Sequence, residues 1–104
     1  MKLAIASDHA GYELKAVLIE YLESKGYEVV NLGTDSPDSV DYPDYGKAVG
    51  EYIASKKADL GIAICGTGVG ISISANKVKG IRCACVSEPY SAKMTRLHND
   101  ANII

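Results

Sequence analysis

The residues with the greatest chemical potential follow a short apolar run near the middle of the chain. Cys65 ends the run 62–64 and is followed by the loop 66–70, of sequence Gly-Thr-Gly-Val-Gly. Three glycines in five positions leave the backbone uncovered, so that successive N–H groups can turn towards an anion. A helix that begins near Val69 would add the field of its N-terminus. Cys65 is therefore a candidate base or nucleophile, with Thr67 as a candidate hydroxyl donor.

Other interpretations of this stretch stay open. Spaced glycines also occur where a strand simply turns tightly into a helix, and a cysteine at the end of an apolar strand often only packs. Thr67 also suits the cap of a helix. The functional interpretation therefore depends on which residues from elsewhere in the chain come to lie beside Cys65.

Short apolar runs alternate with amphipathic segments along the chain, which is the pattern of an α/β fold. The predicted strands cover residues 2–7, 27–32, 59–64, 81–86 and 101–104. The predicted helices cover residues 12–25, 43–57, 69–78 and 88–97, the last with Ser87 as its cap. The first helix ends at Gly26 and has apolar residues at helical spacing, which predicts a buried face of Leu14, Val17, Leu18, Tyr21 and Leu22.

This alternation predicts a three-layer, doubly wound parallel sheet of the flavodoxin or Rossmann-like type, in one domain of 104 residues. The expected strand order is 2-1-3-4-5, in which strands 1 and 3 are neighbours at the switch point where ligands bind. The turn that carries Asp8 and His9 would then lie beside Cys65 and Thr67. An acid, an imidazole, a thiol and an anion-binding loop would meet in one crevice.

Charge and cysteine usage argue against several other functions. A net charge of −2 with scattered basic residues predicts no nucleic-acid partner. No apolar run has the length of a membrane span and the N-terminus does not resemble a signal peptide, so we expect a cytoplasmic protein. Three cysteines without a Cys-x-x-Cys motif predict free thiols and no structural metal site. Cys83 and Cys85 alternate along a predicted strand, where packing is the expected role.

Four motifs resemble those of one family along the whole chain. They are the segments 7–11 (Ser-Asp-His-Ala-Gly), 40–45 (Val-Asp-Tyr-Pro-Asp-Tyr), 65–70 (Cys-Gly-Thr-Gly-Val-Gly) and 98–103 (His-Asn-Asp-Ala-Asn-Ile). The sequence is similar to the family that holds the type B ribose-5-phosphate isomerases together with galactose-6-phosphate and allose-6-phosphate isomerases. The resemblance implies an aldose–ketose isomerase of the pentose phosphate pathway, which interconverts ribose 5-phosphate and ribulose 5-phosphate without a metal ion or organic cofactor.

The resemblance also implies a role for each site residue. Cys65 would move a proton between C2 and C1 through an enediolate, while Asp8 and His98 open the sugar ring. His9 would bind the phosphate and Asn99 a sugar hydroxyl, and Tyr42 would line the pocket. The developing oxyanion would be held by Thr67 and by the backbone of Gly66, Gly68, Val69 and Gly70.

From their pattern alone, these residues also have simpler interpretations. His98 at a helix C-terminus suits the helix dipole, and Asp8 and His9 suit a turn and its cap. Tyr42 before Pro43 suits a loop anchor. The predicted convergence and the resemblance together favour the functional interpretation.

The predicted topology separates the two halves of the implied site. His98 and Asn99 follow a helix and precede strand 5, at the edge of the sheet where strands begin, whereas Asp8 and Cys65 follow strand ends. A strand of six residues spans roughly 20 Å, which is too far for one sugar phosphate to bridge. We therefore expect a homodimer, or a tetramer built from dimers, in which a neighbouring chain supplies His98 and Asn99.

The sequence departs from the family pattern at its C-terminal end. Family members normally complete strand 5 and add a helix with arginines for the phosphate, so we expect this chain to be a shortened form, prone to association and weakly active or inactive. Isomerisation of galactose 6-phosphate or allose 6-phosphate is an alternative, because the sequence does not determine whether the pocket takes five or six carbons. A non-catalytic module that binds phosphate or a nucleotide is another.

Overall fold

A computed structural model describes the chain from Met1 to Ile104 as an alternation of strands and helices. The elements are β1 (Lys2–Ser7), α1 (Tyr12–Ser24), β2 (Glu28–Asn31), α2 (Tyr42–Ala54), β3 (Leu60–Ile64), α3 (Val69–Asn76) and α4 (Pro89–Asn99). This order confirms the predicted α/β fold. None of the helices combines the length and the apolar character that crossing a membrane requires.

The three well-formed strands make a parallel sheet in the order β2-β1-β3. At the centre of the sheet, Ala4 pairs with Val30 on one side and with Gly61 on the other. The first three positions of the predicted order are thus confirmed. The consequence for the site is that the ends of β1 and β3 lie side by side.

The predicted order is wrong at its last two positions. Ile103 forms parallel bridges to Gly61 on one side and to Cys83 on the other, so the C-terminal residues lie between β3 and the segment 81–86. That segment keeps only the bridge at Cys83 rather than a full strand. The Ile103 side chain packs closely over Gly61, where an added Cβ would lie 3.0 Å from its Cγ1. Strand order depends on such contacts, which the alternation of elements does not encode.

One face of the sheet is covered by α2 and α3, and the main core lies there. Val49 and Ile53 of α2 pack with Ala4 and Ala6 of β1 and with Ala75 of α3. The two helices approach closely because α2 has glycines at its contact points. A Cβ added at Gly46 would lie 2.6 Å from the Cβ of Ser74. This close contact fixes α3, and with it the loop that precedes α3.

On the other face of the sheet, the burial of α1 differs from the prediction, because most of its apolar residues do not lie in the core. Leu14, Val17 and Tyr21 are 53%, 62% and 56% exposed, whereas the side chain of Lys15 is 2% exposed. Helical spacing identified these apolar residues correctly but not the direction in which they point. Only the end of the helix follows the prediction, with Gly26 at a φ of +90°.

The last helix begins and ends slightly differently from its prediction. Glu88, rather than Ser87, caps α4, because its side chain accepts a hydrogen bond from the backbone N–H of Ser91. This hydrogen bond holds the pKa of Glu88 below its usual value. The helix continues to Asn99 and stops at Asp100, whose φ is +52°.

Candidate active site

Two turns meet at the edge of the sheet where β1 and β3 end. The backbone N–H of Asp8 donates to the carbonyl oxygen of Ile64 over 3.0 Å. A Cβ added at Gly66 would lie 3.9 Å from the Cβ of Ala10, which is ordinary van der Waals contact. The structure therefore brings the turn of Asp8 and His9 next to the loop that follows Cys65.

The sulfur of Cys65 lies within its own glycine loop. Its Sγ accepts a hydrogen bond from the backbone N–H of Gly68 over 3.1 Å, and the side chain is half-buried. Gly68 adopts a φ of +79°, a conformation that favours glycine and turns this N–H back towards the sulfur. The loop therefore fixes the position of the sulfur just after the end of β3.

Some of the other polar groups of the loop already form hydrogen bonds within the protein. The Oγ1 of Thr67 accepts from the N–H of Val69 over 3.2 Å, while its hydroxyl proton stays available. The N-cap of α3 is Gly68 rather than Thr67, and no side chain caps this helix. The N–H groups of Gly66, Thr67 and Gly70 donate to no acceptor in the protein. Of the five amides predicted to hold an oxyanion, those of Gly68 and Val69 are thus already engaged and three are free.

Asp8 is buried, and one of its oxygens is used by its own turn. Oδ1 accepts from the N–H groups of Ala10 and Gly11 over 2.9 and 3.1 Å. These bonds shape the start of α1, as the turn interpretation predicted. The second oxygen, Oδ2, accepts no hydrogen bond from the protein, and so remains available for a ligand.

His9 and Tyr42 contact the segments that surround the glycine loop. The Nδ1 of His9 accepts from the N–H of Val40 over 3.1 Å, so the neutral imidazole carries its proton on Nε2. Tyr42 is the first residue of α2, and its ring lies on the loop. A Cβ added at Gly70 would come within 2.7 Å of the Tyr42 ring. Both side chains therefore lie around the glycine loop and the turn of Asp8.

His98 and Asn99 lie at the opposite edge of the sheet. The carbonyl oxygen of Asn99 accepts from the Nη1 of Arg82, at the start of the segment 81–86. The adjacent Asp100 lines a cavity of about 300 Å³ with Asp59, which immediately precedes β3. Both His98 and Asn99 are exposed. Within one chain, therefore, the structure does not bring them to Cys65.

The site is open in the single chain. None of its cavities is lined by Cys65, Asp8, His9 or His98, although Tyr42 lines a groove of about 390 Å³ between α2 and α3. No group of three or more histidine, cysteine or acidic side chains is arranged to hold a metal ion. The cluster at this edge is thus a half-buried thiol, a buried carboxylate, an imidazole and free amides, and no cavity of the single chain encloses it.

Two residues near the site were not identified from the sequence. Cys85 was expected only to pack, but its exposed thiol lies 3.6 Å from the carbonyl oxygen of Thr67. Cys83 does pack, and burial followed by the nearby Cys85 raises the pKa of its thiol to about 11. The burial of Lys15 was not predicted, because the apolar residues around it drew attention to the packing of the helix. The one indication in the sequence was that a lysine stood on the predicted buried side of the helix.

Comparison with known proteins identifies close relatives across the whole chain. The sequence profile of the Ribose/Galactose Isomerase family matches residues 3–104. Ribose-5-phosphate isomerase B of Escherichia coli is 48% identical over 99% of this chain and 69% of its own length. The solved structure of the Clostridium thermocellum ribose-5-phosphate isomerase B has a TM-score of 0.98 and 55% identity, covering 99% of this chain and 70% of that one. The Mycoplasma genitalium enzyme, solved with bound ribulose-5-phosphate, has a TM-score of 0.91 and 43% identity, covering 98% and 68%.

Proposed function

The chain belongs to the ribose/galactose isomerase family, and we propose that this aldose–ketose isomerase of sugar phosphates interconverts ribose 5-phosphate and ribulose 5-phosphate. Such a reaction needs a base that moves a proton between adjacent carbons and donors for the oxygen that becomes charged. The observation that carries the proposal is the sulfur of Cys65 beside three amides that have no protein acceptor.

The proton transfer is assigned to Cys65. Its thiolate removes the proton from C2 of the open-chain aldose, and the electron pair of that bond forms the C1–C2 double bond while charge moves to O1. The thiol then returns its proton to C1, and the proton of the C2 hydroxyl passes to O1, which leaves the ketone at C2. The bond from the N–H of Gly68 holds the sulfur in position at the start of each cycle.

The charge on the enediolate oxygen is assigned to the loop. The free N–H groups of Gly66, Thr67 and Gly70, together with the Thr67 hydroxyl, are donors held in place by the backbone. Donors that are already oriented need no rearrangement as the charge develops, and the loss of one such donor typically costs about 10²-fold in rate or more. The glycine loop would therefore contribute to catalysis independently of the base.

Ring opening and substrate binding are assigned to the surrounding side chains. Asp8 accepts the hydroxyl proton at C1 through its free Oδ2, while His98 of a neighbouring subunit donates a proton to the ring oxygen. The Nε2–H of His9 binds the phosphate and Tyr42 lines the pocket. Asn99, also from the neighbour, binds a sugar hydroxyl.

A shared site requires a symmetric homodimer, which is the smallest assembly that we propose for this single domain. Its support is that His98 and Asn99 are exposed at the wrong edge of their own chain, while the edge with Cys65 is open. In a two-fold dimer each edge can meet the other edge of the partner. A tetramer would pair two such dimers.

We also place the enzyme in the cytoplasm, in the pentose phosphate pathway. The support for the compartment is that all three cysteines are free, as expected where thiols are kept reduced. The support for the pathway is the substrate pair itself, because both proposed sugars are pentose phosphates.

The test is exchange of the C2 proton in heavy water. Ribose 5-phosphate incubated with the protein should gain deuterium and yield ribulose 5-phosphate, whereas Cys65→Ala should lose both by about 10³-fold or more. Cys85→Ala is the matched control, since it removes an exposed thiol next to the same loop and should keep full activity.

Three outcomes would contradict the proposal. Turnover of a six-carbon sugar phosphate in preference to ribose 5-phosphate would change the substrate. An equal loss of activity in Cys65→Ala and Cys85→Ala would show that Cys65 is not the base. Tight binding of ribose 5-phosphate without any exchange in the unmodified protein would indicate a binding module instead.

A further inference from the structure

We propose that Lys15 is a positioning residue for the candidate site, because its buried ammonium group holds the loop 33–41 that orients His9. The proposal rests on the proposed function for its kinetic consequence but not for its structural one. The side chain of Lys15 is 2% exposed, which is rare for a lysine and requires partners for its charge. No step of the proposed reaction uses this residue.

The ammonium group joins three parts of the fold. Its Nζ donates to the Oδ1 of Asn31, at the end of β2, over 2.8 Å and to the Oδ1 of Asp35, in the loop, over 2.6 Å. The Nδ2 of Asn31 donates to the same oxygen of Asp35 over 2.9 Å, which closes the network. The bonds from Lys15 and Asn31 hold the pKa of Asp35 below its usual value. The loop is therefore tied to α1 and β2 by an ionised carboxylate.

The first part of the loop is fixed to the end of β1 as well. The Oδ1 of Asn31 also accepts from the N–H of Gly33 over 2.9 Å. The carbonyl oxygen of Gly33 accepts from the N–H of Ser7, and the N–H of Thr34 donates to the carbonyl oxygen of Ser7. Ser7 immediately precedes Asp8. The network around Lys15 thus reaches the residue next to a candidate catalytic carboxylate.

The last part of the loop makes the contact that matters for recognition. The N–H of Val40 donates to the Nδ1 of His9, which selects the tautomer with a proton on Nε2. The loop then leads into Tyr42, whose ring lies against Gly70. A loop released from Lys15 would lose the position of Val40, and the imidazole of His9 would lose both its orientation and its preferred tautomer. A phosphate bound by the Nε2–H would then be bound more weakly.

The experiment removes the charge of Lys15 and observes His9 directly. The variants are Lys15→Met, which keeps an apolar stem, and Asp35→Ala, which removes the charge and the acceptor of a side chain that is 71% exposed and so carries little risk for folding. Lys2→Met is the control, because it breaks an exposed ion pair with Glu28 at the far edge of the sheet.

The first readout is the ¹⁵N spectrum of the histidine rings. The chain has only two histidines, so the His9 signals are assigned as those that remain in a His98→Asn sample. We expect the unmodified protein and Lys2→Met to show His9 protonated at Nε2 alone at neutral imidazole. Lys15→Met and Asp35→Ala should shift its Nδ1 and Nε2 signals towards those of free histidine. Unchanged His9 signals in folded Asp35→Ala would overturn the proposal, whether or not Lys15→Met folds.

The second readout separates positioning from general stability. For ribose 5-phosphate we expect KM to rise about tenfold in Lys15→Met and about threefold in Asp35→Ala, with kcat within about twofold. A fall in kcat at constant KM would reflect only a smaller folded fraction and would also overturn the proposal. If the unmodified protein turned over no sugar phosphate, the proposed function would fail, whereas altered His9 signals would still support the role of Lys15.

Discussion

The two edges of the parallel sheet carry polar residues in very different states. Where β1 and β3 end, Asp8, His9, Cys65 and Thr67 each accept a hydrogen bond from a backbone N–H. Where β3 begins, the side chains of His98 and Asn99 are exposed and hydrogen-bonded to nothing in the chain. In the proposed dimer, the first edge would form one half of each active site and the second edge would complete the site of the partner chain. The comparison therefore ties the proposed function to a contact between the two edges.

The strongest test of this comparison combines one defect from each edge. Cys65→Ala and His98→Asn should each lower kcat by about 10²-fold or more, since each removes a group that moves a proton. Unfolding and refolding the two variants together should restore about one quarter of the unmodified activity, because half of the dimers are mixed and each has one intact site. Activity is measured as ribulose 5-phosphate formed per subunit. No recovery in mixtures shown to contain mixed dimers would mean that the edges do not cooperate across subunits.

A second test separates the two oxygens of Asp8. Asp8→Asn keeps an acceptor for the N–H groups of Ala10 and Gly11, so its stability in urea should match the unmodified protein while kcat falls about 10²-fold. Asp8→Ala removes the acceptor as well and should also lose about 1 kcal/mol of unfolding free energy. Full activity in Asp8→Asn would leave Asp8 with only a structural role.

A third test concerns how closely the first edge is packed. Gly70→Ala would place a Cβ within 2.7 Å of the Tyr42 ring, so the ring must move and KM should rise about tenfold. The same change in a Tyr42→Ala background should have little effect, because the obstructing ring is absent. Kinetics of the two single variants and the double variant measure this coupling. Additive effects on KM would show that Tyr42 and Gly70 do not act through their contact.

The smallest effect on turnover is expected in the segment that runs between the edges, because Cys83 takes no part in the proposed reaction. Burial raises the pKa of Cys83 from 9.0 to about 11, so at pH 9 its alkylation should be roughly 50-fold slower than that of an ordinary exposed thiol. Cys85 is exposed and should react first. Because the pKa of Cys83 is raised in the folded state, its contribution to stability is complete below pH 9 and is lost as the pH rises through 11. Mass spectrometry of alkylated peptides gives the order of reaction, and equal rates would contradict the burial of Cys83.

The sequence predicted the first part of the sheet well and the second part poorly. Residues 2–7 were predicted with their exact bounds, and the adjacency of strands 1 and 3 followed from a general rule of alternating folds. The same rule did not predict that the C-terminal residues, rather than the segment 81–86, lie next to β3. That arrangement depends on how the side chain of Ile103 fits over Gly61, a contact between residues far apart in sequence.

What the sequence determined by itself was the local chemistry: strand and helix periods, the glycine loop after Cys65, and the turn of Asp8. These are set by short-range rules of backbone conformation and spacing. The tertiary structure alone decided which amides of the loop stay free, that Lys15 rather than Leu14 is buried, and that His98 lies at the far edge. Burial and hydrogen-bond partners are properties of the packed chain, because each depends on atoms that only the complete fold brings together.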